Sequence, residues 1–392
     1  MTDRIHVPVS KGECCGCSIC AEICPVTAIE MKEDDEGFVY PIVDESKCIK
    51  CGKCLRCCAF SNSTKDENND LDPAYYAKYN DINVRMKSQS GAVFFAVSDY
   101  ILKNKGVVYG CILDNENNVR HIRADNLIDR DKMCRSKYVI SDIKGITSSL
   151  SQDLLQGKSV LFTGTGCQVD AVRKYIIQKD IDSSKLYTLD IVCHGCASPR
   201  LFKDYISFLE KKYKGMVSNF VFRDKEICGW DGHIETFIIG NKKYKSTFYR
   251  EIFHTDLCIR PSCYNCKYCK INRGSDLTIA DAWGIKKVLP EFNDNRGASL
   301  VICHSEKGKK LISEISDVCL IETVDIKETM QPNLKNPTEC KGNREEFWKI
   351  YKDRKIDGIV KKYGHVSLKR KIVYFIKYKA RQVLQSHKYY LP

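Results

Sequence analysis

The segment CCGCSICAEICP (residues 14–25) holds five cysteines in twelve residues and ends in Cys24-Pro25. Thiols at this density form disulfides in a secreted protein and bind metal in a reducing compartment. The N-terminal residues MTDRIHVPVSKGE have no apolar stretch after their first charges, and no apolar run reaches the roughly 18 residues of a membrane span. We therefore expect a cytoplasmic protein whose 23 cysteines include metal ligands.

The spacing of the cysteines predicts the kind of metal centre. The pattern C-x2-C-x2-C-x3-C-P places three thiolates on one [4Fe–4S] cluster and the fourth on the other cluster of a pair. It occurs first at Cys14, Cys17, Cys20 and Cys24. It recurs, with alanine in the place of the proline, at Cys48, Cys51, Cys54 and Cys58. A zinc ribbon would use two C-x2-C pairs but would leave the third and fourth cysteine of each run without a role.

Residues 1–60 therefore resemble a bacterial-type ferredoxin with two [4Fe–4S] clusters. The resemblance implies that the two cysteine runs exchange one ligand. The first cluster would be held by Cys14, Cys17, Cys20 and Cys58. The second cluster would be held by Cys48, Cys51, Cys54 and Cys24. Cys15 and Cys57 are left over, and we interpret them as small buried hydrophobic residues beside the clusters.

The remaining sequence predicts a larger domain of mixed α/β type, so the expected fold class is α+β. Residues 61–72 (SNSTKDENNDLD) have the composition of a linker, residues 73–340 alternate strand and helix patterns, and residues 341–392 form a basic tail. The predicted strands are AYYAKY, VVYGCIL, VRHIRA, SVLFTG, KLYTLDIV, VSNFVFRD, DLTIADAWG and ASLVICH. The predicted helices are GAVFFAVSDYILKNKG, QVDAVRKYIIQK, PRLFKDYISFLEKKY and KGKKLISEI.

Three segments of residues 73–340 carry residues suited to phosphate or redox chemistry. In residues 160–176 (VLFTGTGCQVDAVRKYI), a glycine-rich turn joins a strand to a helix, which favours phosphate binding. Val169 stands at the third glycine position of a dinucleotide fingerprint, which disfavours an NAD site. Residues 189–202 (LDIVCHGCASPRLF) place Cys193 and His194 between a strand and a helix capped by Ser198. Residues 259–274 add a basic loop with Cys263, Cys266 and Cys269.

These segments, taken in order, resemble the coenzyme F-420 hydrogenase/dehydrogenase beta-subunit family. KSQSGA (87–92), CRSKYVISD (134–142) and FRDKEICGW (222–230) extend the resemblance, which runs from about residue 75 to 325. It implies bound FAD, at least one [4Fe–4S] cluster on the larger domain, and electron transfer between an iron–sulfur donor and a hydride-accepting substrate. Ala92 departs from the family pattern, where a second glycine is usual.

The resemblance also implies site residues. For a third cluster the ligands would be Cys167, Cys193, Cys263 and Cys266. The alternative ligand set is Cys193, Cys263, Cys266 and Cys269. The residues implied at the FAD, from the pyrophosphate to the ring, are Gln89, Ser90, Gly91, Ser136, Lys137, Tyr138, Thr163, Gly164 and Arg273. His194 is the candidate proton donor to a substrate, and the alternative is that it hydrogen-bonds a cluster sulfur.

The function that we hypothesise is that of an iron–sulfur flavoprotein oxidoreductase. A small carrier protein, a ferredoxin or flavodoxin, would supply single electrons, and a small-molecule or lipid-linked substrate would receive a hydride, or the direction would be reversed. The alternative is a non-catalytic electron-transfer subunit of a larger complex, which would need no substrate cavity. The net charge of +13 does not make a nucleic-acid partner the better hypothesis, because that partner would leave the cysteines unexplained.

The positive charge is concentrated in the tail. Residues 341–392 carry 15 basic and 4 acidic side chains, a net charge of +11. Ile372, Phe375, Ile376 and Val383 recur at near-helical spacing, which predicts a basic amphipathic helix. Three interpretations stay open: a helix packed on the body, a docking site for an acidic electron donor, and peripheral contact with an anionic membrane surface.

Cluster content provides the first test. Three [4Fe–4S] clusters would give about twelve irons per chain after anaerobic reconstitution. Cys167→Ser or Cys193→Ser should lower the iron content by about four, whereas Cys15→Ser and Cys57→Ser should leave it unchanged. Cys269→Ser distinguishes the two ligand sets for the third cluster. Saturation at about eight irons in the unmodified protein would rule out the third cluster and leave the other two.

Overall fold

The structure, a computed structural model, describes residue 7 and residues 10–61 and 73–365. Residues 62–72 of the predicted linker and the predicted amphipathic helix, which begins beyond residue 365, lie outside these ranges. Within the ranges, no helix combines the length and the apolar character that crossing a bilayer requires.

Residues 10–61 form two short helices and a hairpin. The helices are α1 (Ile19–Glu22) and α2 (Lys53–Cys57), and a 3-10 turn at Lys11–Glu13 precedes them. The hairpin strands β1 (Ile29–Glu33) and β2 (Val39–Val43) pair antiparallel. Each helix follows a residue with left-handed backbone, Ser18 (φ 65°) before α1 and Gly52 (φ 70°) before α2. The third cysteine of each run, Cys20 or Cys54, lies on the helix that follows this turn.

The larger part is built on a mixed sheet. Its strands and those of a small separate sheet are β3 (Ala74–Tyr79), β4 (Val107–Leu113), β5 (Val119–Ala124), β6 (Val160–Thr165), β7 (Leu186–Ile191), β8 (Val217–Val221), β9 (Glu235–Ile239), β10 (Lys242–Ser246), β11 (Leu277–Asp281), β12 (Ser299–Cys303) and β13 (Cys319–Val324). The large sheet has eight strands in the order β13-β3-β12-β11-β7-β6-β4-β5. The strands β4, β6, β7 and β11 run parallel to one another, whereas β3, β5, β12 and β13 join by antiparallel pairing.

Helices cover the sheet and connect its strands. They are α3 (Ile82–Lys87), α4 (Val93–Lys103), α5 (Leu127–Lys132), α6 (Ile146–Leu155), α7 (Gly166–Gln178), α8 (Pro199–Tyr213), α9 (Lys225–Cys228), α10 (Phe248–Phe253), α11 (Ile285–Val288), α12 (Glu306–Glu314) and α13 (Arg344–Tyr363). Short 3-10 helices lie at Pro261–Asn265, Pro290–Phe292 and Pro332–Leu334. Because β6, β7 and β11 are parallel neighbours, the segments that follow them meet at one edge of the sheet.

The structure confirms the expected fold class and contains all of the predicted strands and helices. The helix predicted over residues 91–106 is shorter than expected and spans only Val93–Lys103, since Ala92 has a left-handed backbone (φ 67°) that cannot continue into a helix. This conformation explains why glycine suits that position. The sequence patterns did not mark the strands β1, β2, β9, β10 and β13, or the helices α1, α2, α3, α5, α6, α9, α10, α11 and α13. The basic strand β10 (KKYKS) has no apolar alternation that would have marked it.

The ferredoxin-like segment shares hydrophobic cores with the larger part. Ile19 and Ile23 pack in one core with Val169 and Tyr175 of α7. A second core contains Phe38 from the hairpin together with residues of α8 and α13. The hairpin turn also contacts the start of α8, because Ser198 Oγ donates to the carbonyl of Glu36 at 2.5 Å. The predicted boundary at residues 61–72 therefore separates two sequence patterns whose side chains pack against each other.

The helix α13 lies beyond the predicted domain end at residue 340 and belongs to the same packing. Phe347, Trp348, Tyr351, Ile359 and Val360 are buried in the core that contains α8 and α10. The helix is interrupted at Lys355, whose backbone is not helical (φ 51°). Residues 344–363 are thus held to the body by apolar contacts, whatever the role of the tail that follows.

Stability measurements test this packing. Ile359 is fully buried, so Ile359→Ala should lower the free energy of unfolding by about 2–5 kcal/mol through lost contacts and a cavity. Lys352→Ala, an exposed position on the same helix, should change it by less than about 0.5 kcal/mol. Urea unfolding of the intact protein measures both, and equal stability of the two variants would contradict the packing of α13.

Candidate functional site

The cysteines of the two runs lie in two mixed groups. Burial raises the pKa of Cys20, and the nearby thiols of Cys14 and Cys58 raise it further. Cys58 of the second run thus lies beside the first run. Burial also raises the pKa of Cys54, and its neighbouring thiols include Cys24 and Cys51. Cys24 of the first run therefore lies near Cys54 of the second run, which is the neighbourhood that the expected exchange of one ligand needs.

These groups are not built for a single ion. Within residues 10–61 and 73–365, no three His, Cys, Asp or Glu side chains are arranged to hold one metal ion. A [4Fe–4S] cluster places each thiolate on a different iron, so its ligands stand farther apart than the ligands of one tetrahedral zinc ion. Soft thiolate donors from both runs are the ligands that an iron–sulfur cluster prefers.

A narrow cavity, here called the cysteine cavity, lies between the ferredoxin-like segment and the edge of the large sheet. The turn from β6 to α7, the segment after β7 and the loop 261–269 all border it. Its walls contain Cys15, Cys167, Cys193, Cys196, Cys263, Cys266 and Cys269. The sulfur atoms of Cys193 and Cys196 are 4.0 Å apart. All members of both predicted ligand sets for the third cluster are brought together here, together with Cys196 and with Cys15, which was interpreted from the sequence as a packing residue.

Arg260 joins the cysteine cavity to the ferredoxin-like segment. Its side chain is 1% exposed and lines the cavity. Nε donates to the carbonyl of Cys14 at 2.5 Å, and Nη2 donates to the carbonyl of Val39 at 2.7 Å. Gly16 makes room for it, since a Cβ at that position would lie 2.6 Å from Nη1. Cysteine spacing gave no sign of this contact, because Arg260 and Cys14 are far apart in sequence.

A larger cavity of about 810 Å³ opens at the carboxyl ends of β6, β7 and β11. This edge is where open α/β sheets bind ligands. Seven of the predicted FAD-site residues line it: Gln89, Ser90, Ser136, Lys137, Tyr138, Thr163 and Gly164. Lys137 Nζ donates to the carbonyls of Met133 and Cys134, each at 2.8 Å, so it orders the loop that presents Ser136 and Tyr138.

Two predicted FAD-site residues lie elsewhere. Gly91 packs against the sheet, where a Cβ would come 2.1 Å from the carbonyl oxygen of Ala77, so glycine is required for close approach. Arg273 lines the cysteine cavity, and its Nη1 contacts Asp190 Oδ2 at 3.2 Å and donates to the carbonyl of Ile191 at 3.0 Å. The loop of Arg273 thus folds toward the cysteines, and the contact of this residue with a flavin phosphate stays a prediction.

His194 lies on the wall between the two cavities and is held at both ring nitrogens. Nε2 is 2.6 Å from Asp256 Oδ1, and Nδ1 is 3.3 Å from Asn333 Oδ1. Burial lowers the pKa of His194, but the hydrogen bond and charge of Asp256 outweigh it, so the net pKa is raised. Both nitrogens face oxygen atoms, so the alternative in which His194 hydrogen-bonds a cluster sulfur is not the arrangement found.

Three further histidines line the large cavity, and the sequence analysis missed them. His233 Nδ1 and His254 Nε2 are 3.3 Å apart. Burial lowers the pKa of His233 to about 2 and that of His254 to about 4, so both are neutral at pH 7. His121 projects from β5, and its Nε2 is 2.7 Å from the carbonyl oxygen of Thr163. None of the three stands in a motif with a recognisable spacing, so only the folded chain brings them together.

The two cavities share a wall. Thr165, Cys193, His194, Gly195 and Cys196 border both of them. On the opposite side of the cysteine cavity, Cys15 belongs to the wall and directly follows Cys14 in the chain. The order in space is therefore the ferredoxin-like cysteines, the cysteine cavity and the large cavity.

Several known proteins are similar to this chain. Among curated proteins, it is 23% identical over 387 residues to a coenzyme F420-dependent sulfite reductase of Methanocaldococcus jannaschii, covering 96% of this chain and 57% of the relative. It is 22% identical over 313 residues to the chloroplastic 7-hydroxymethyl chlorophyll a reductase of Oryza sativa subsp. japonica, covering 71% and 62%. A shorter match, 46% identical over 58 residues, is to an uncharacterized ferredoxin of Methanocaldococcus jannaschii, covering 15% and 31%. The chain thus spans less than two thirds of the length of these relatives.

The chain is also similar to a solved structure and matches a family model. A chain of the F420-reducing [NiFe] hydrogenase complex from Methanosarcina barkeri aligns with a TM-score of 0.44 and 19% identity, covering 76% of this chain and 94% of that chain. The family model describes the C terminus of the beta subunit of coenzyme F420 hydrogenase/dehydrogenase, and it matches residues 157–329. Residues 157–329 are therefore similar to the C-terminal part of the coenzyme F420 hydrogenase/dehydrogenase beta subunit, and this match together with the relatives above supports that family for this chain.

Proposed function

We propose that the protein is an iron–sulfur flavoprotein oxidoreductase with two [4Fe–4S] clusters on residues 1–60, a third cluster in the cysteine cavity and FAD in the large cavity. The clusters would supply one-electron transfer, and the flavin would exchange two such electrons for a hydride. The observation that carries this proposal is the shared wall of the two cavities. The named activities of the full-length relatives, two of which are reductases, are consistent with it.

The chain's own residues keep the proposed centres close to one another. Cys14 is an expected ligand of the first cluster, and its neighbour Cys15 lines the cysteine cavity. Consecutive Cα atoms are about 3.8 Å apart, so the backbone itself spans the gap between the two sites. Arg260 fixes this junction because its guanidinium is hydrogen-bonded to the carbonyl of Cys14 while its own carbonyl accepts from the N–H of Cys263 at 2.9 Å.

Several side chains of the large cavity are suited to holding a flavin dinucleotide. Arg135 lines the cavity, and its Nε donates to the carbonyl of Lys87 at 3.2 Å. No carboxylate in the described part of the chain forms an ion pair with Arg135, so its charge is available for a pyrophosphate. Arg223, by contrast, is paired with Asp281 at 2.5 Å and is the weaker candidate for that role.

His121 offers a further point of attachment. Its Nε2 faces a carbonyl oxygen, which only accepts, so Nε2 carries the hydrogen and Nδ1 is the acceptor. Burial lowers the pKa of His121 to about 4, so the ring stays neutral at pH 7. Nδ1 is buried and has no hydrogen-bond partner among residues 7, 10–61 and 73–365. Such an acceptor favours a ligand that presents an N–H donor, which the flavin ring system does.

The arrangement of His194 supports an electrostatic role at the shared wall. Asp256 and Asn333 occupy its two nitrogens, and the raised pKa favours the cationic form. A proton donor to substrate would have to break one of these contacts. His233 and His254 are the other candidates for proton transfer. Both are neutral and line the large cavity, and their Nδ1 and Nε2 atoms are close enough to pass a proton from one ring to the other.

The alternative, a non-catalytic electron-transfer subunit, needs no substrate cavity. Because the large cavity is assigned to FAD, the discriminating result is the acceptor: isolated protein that reduces only artificial dyes would favour this alternative. The substrate, whether a free small molecule or a lipid-linked one, and the direction of electron flow are matters for a screen of candidate acceptors with the reduced, anaerobically purified protein.

Electron entry from the ferredoxin-like segment is tested with Cys24→Ser. This change removes a ligand expected for the second cluster, which lies in a different part of the chain from the FAD site. Reduction of FAD by a reduced carrier protein should slow by at least about tenfold in stopped-flow measurements, because a relay centre is lost, while the FAD content stays the same. Cys340→Ser, which alters an exposed cysteine, is the matched control. Loss of FAD from the Cys24 variant, or an unchanged rate, would count against the proposed route.

His121→Phe tests the FAD site and carries a pH signature. Loss of one hydrogen bond should weaken FAD binding by about tenfold, measured on the apoprotein by fluorescence quenching. His121 binds its proton with a pKa of about 4 in the folded state and about 6.5 when exposed, so the unfolded state takes up the proton first as the pH falls. The unmodified protein should therefore lose stability between pH 6.5 and pH 4 more steeply than the variant. Equal FAD affinity in the two proteins would remove His121 from the site.

A further inference from the structure

An exposed cationic surface surrounds the most accessible cysteine of the ferredoxin-like segment. Among the eight cysteines of the two runs, Cys51 is the one that is exposed. Lys50, Lys53 and Arg56 are exposed around it, on and just before α2. Ile49 adds an apolar side chain that is 60% exposed. We call this surface, defined by Ile49, Lys50, Cys51, Lys53 and Arg56, the α2 face.

The end of α7 extends the α2 face. Arg56 Nε donates to Gln178 Oε1 at 2.8 Å, so the two helices are joined at their surface. The residues on either side of Gln178 are Ile177, which is 65% exposed, and the exposed Lys179. The extended surface therefore repeats the same composition, an exposed apolar side chain beside an exposed cation.

The cations of the α2 face are not neutralised locally. Lys47, just before the face, is paired with Asp44 at 2.9 Å. Lys50, Lys53 and Arg56 have no such ion pair with a carboxylate of the described residues, and Arg56 instead donates to Gln178 and to the carbonyl of Cys51. A concentration of unpaired positive charge attracts a partner of opposite charge and orients its approach.

We propose that the α2 face is the docking surface for a small acidic electron-carrier protein of the ferredoxin class. This inference rests on the proposed function. Charge complementarity selects an acidic partner, and the exposed Ile49 and Ile177 provide the apolar contacts that a protein interface uses at its centre. One electron leaves the reduced carrier and enters the centre held by Cys51, so the carrier is oxidised by one electron and this centre is reduced by one, with no bond made or broken.

Binding of the oxidised carrier tests the surface without any turnover. The probe is an acidic bacterial-type ferredoxin, titrated into the intact protein by isothermal calorimetry at low and high salt. Lys50→Glu combined with Lys53→Glu should raise the Kd by about tenfold or more at low salt, because attraction becomes repulsion, and should remove most of the salt dependence. If this double variant loses its iron, Lys179→Glu on α7 tests the same surface away from the cysteine loop, with an expected increase of about threefold.

The matched control is Lys211→Glu combined with Lys212→Glu, which makes the same change of net charge at exposed positions on α8. Its Kd should stay within about twofold of the unmodified protein. An equal loss of affinity in both double variants, or none in either, would overturn the proposal. The proposal would also be overturned if a chain that ends at residue 365 lost binding of the carrier while the Lys50→Glu, Lys53→Glu variant kept it in full.

The proposed function is measured separately on the same preparations through their iron and FAD contents. A preparation that lacks FAD but binds the carrier in the expected pattern would overturn the proposed function and leave the docking surface in place. The reverse result, full cofactor content and indifference to the charges of the α2 face, would overturn only the docking surface.

Discussion

The buried guanidinium of Arg260 is the interaction on which the relation between the two cysteine-rich regions depends. A cation inside a protein is costly unless hydrogen bonds and neighbouring dipoles replace its water. Here the replacement comes from the carbonyls of Cys14 and Val39 and from the ring of Tyr40, whose centroid lies 4.2 Å from the guanidinium carbon. All three partners belong to the ferredoxin-like segment. Among the described residues, the larger part of the chain therefore carries a charge whose side-chain hydrogen bonds all go to the N-terminal segment, while the buried Nη1 makes none.

The parallel strands at the centre of the large sheet impose the second constraint. Because β6, β7 and β11 point the same way, the segments after them converge, and the cysteines of separate motifs reach one cavity. The residues that present Cys193 and His194 must then face the cysteines on one side and the large cavity on the other. The cysteine cavity and the large cavity therefore share wall residues.

The cysteine spacing predicts ligand sets for the ferredoxin-like segment because ligand spacing is local and needs no tertiary information. Seven of the nine residues expected at an FAD site face one cavity, since they sit in short motifs next to strand ends. Arg273 lies outside that cavity, because a loop sequence does not tell which side of a sheet edge the loop will take. His121, His233, His254 and Arg260 could not be found from the sequence, since each acts through a partner distant in the chain or through a cavity that only folding creates.

The adjacency of Cys14 and Cys15 places a limit on chain length. These two residues are consecutive in the chain but lie at different sites. Cys14 lies near Cys20 and Cys58, whereas Cys15 belongs to the wall of the cysteine cavity. An inserted or deleted residue at this point would turn one thiol away from its site, and no rearrangement of a side chain could restore both. The hairpin loop at residues 114–118, by contrast, is a surface turn that borders neither cavity. Insertions and deletions should therefore be tolerated at that turn and excluded between the two cysteines.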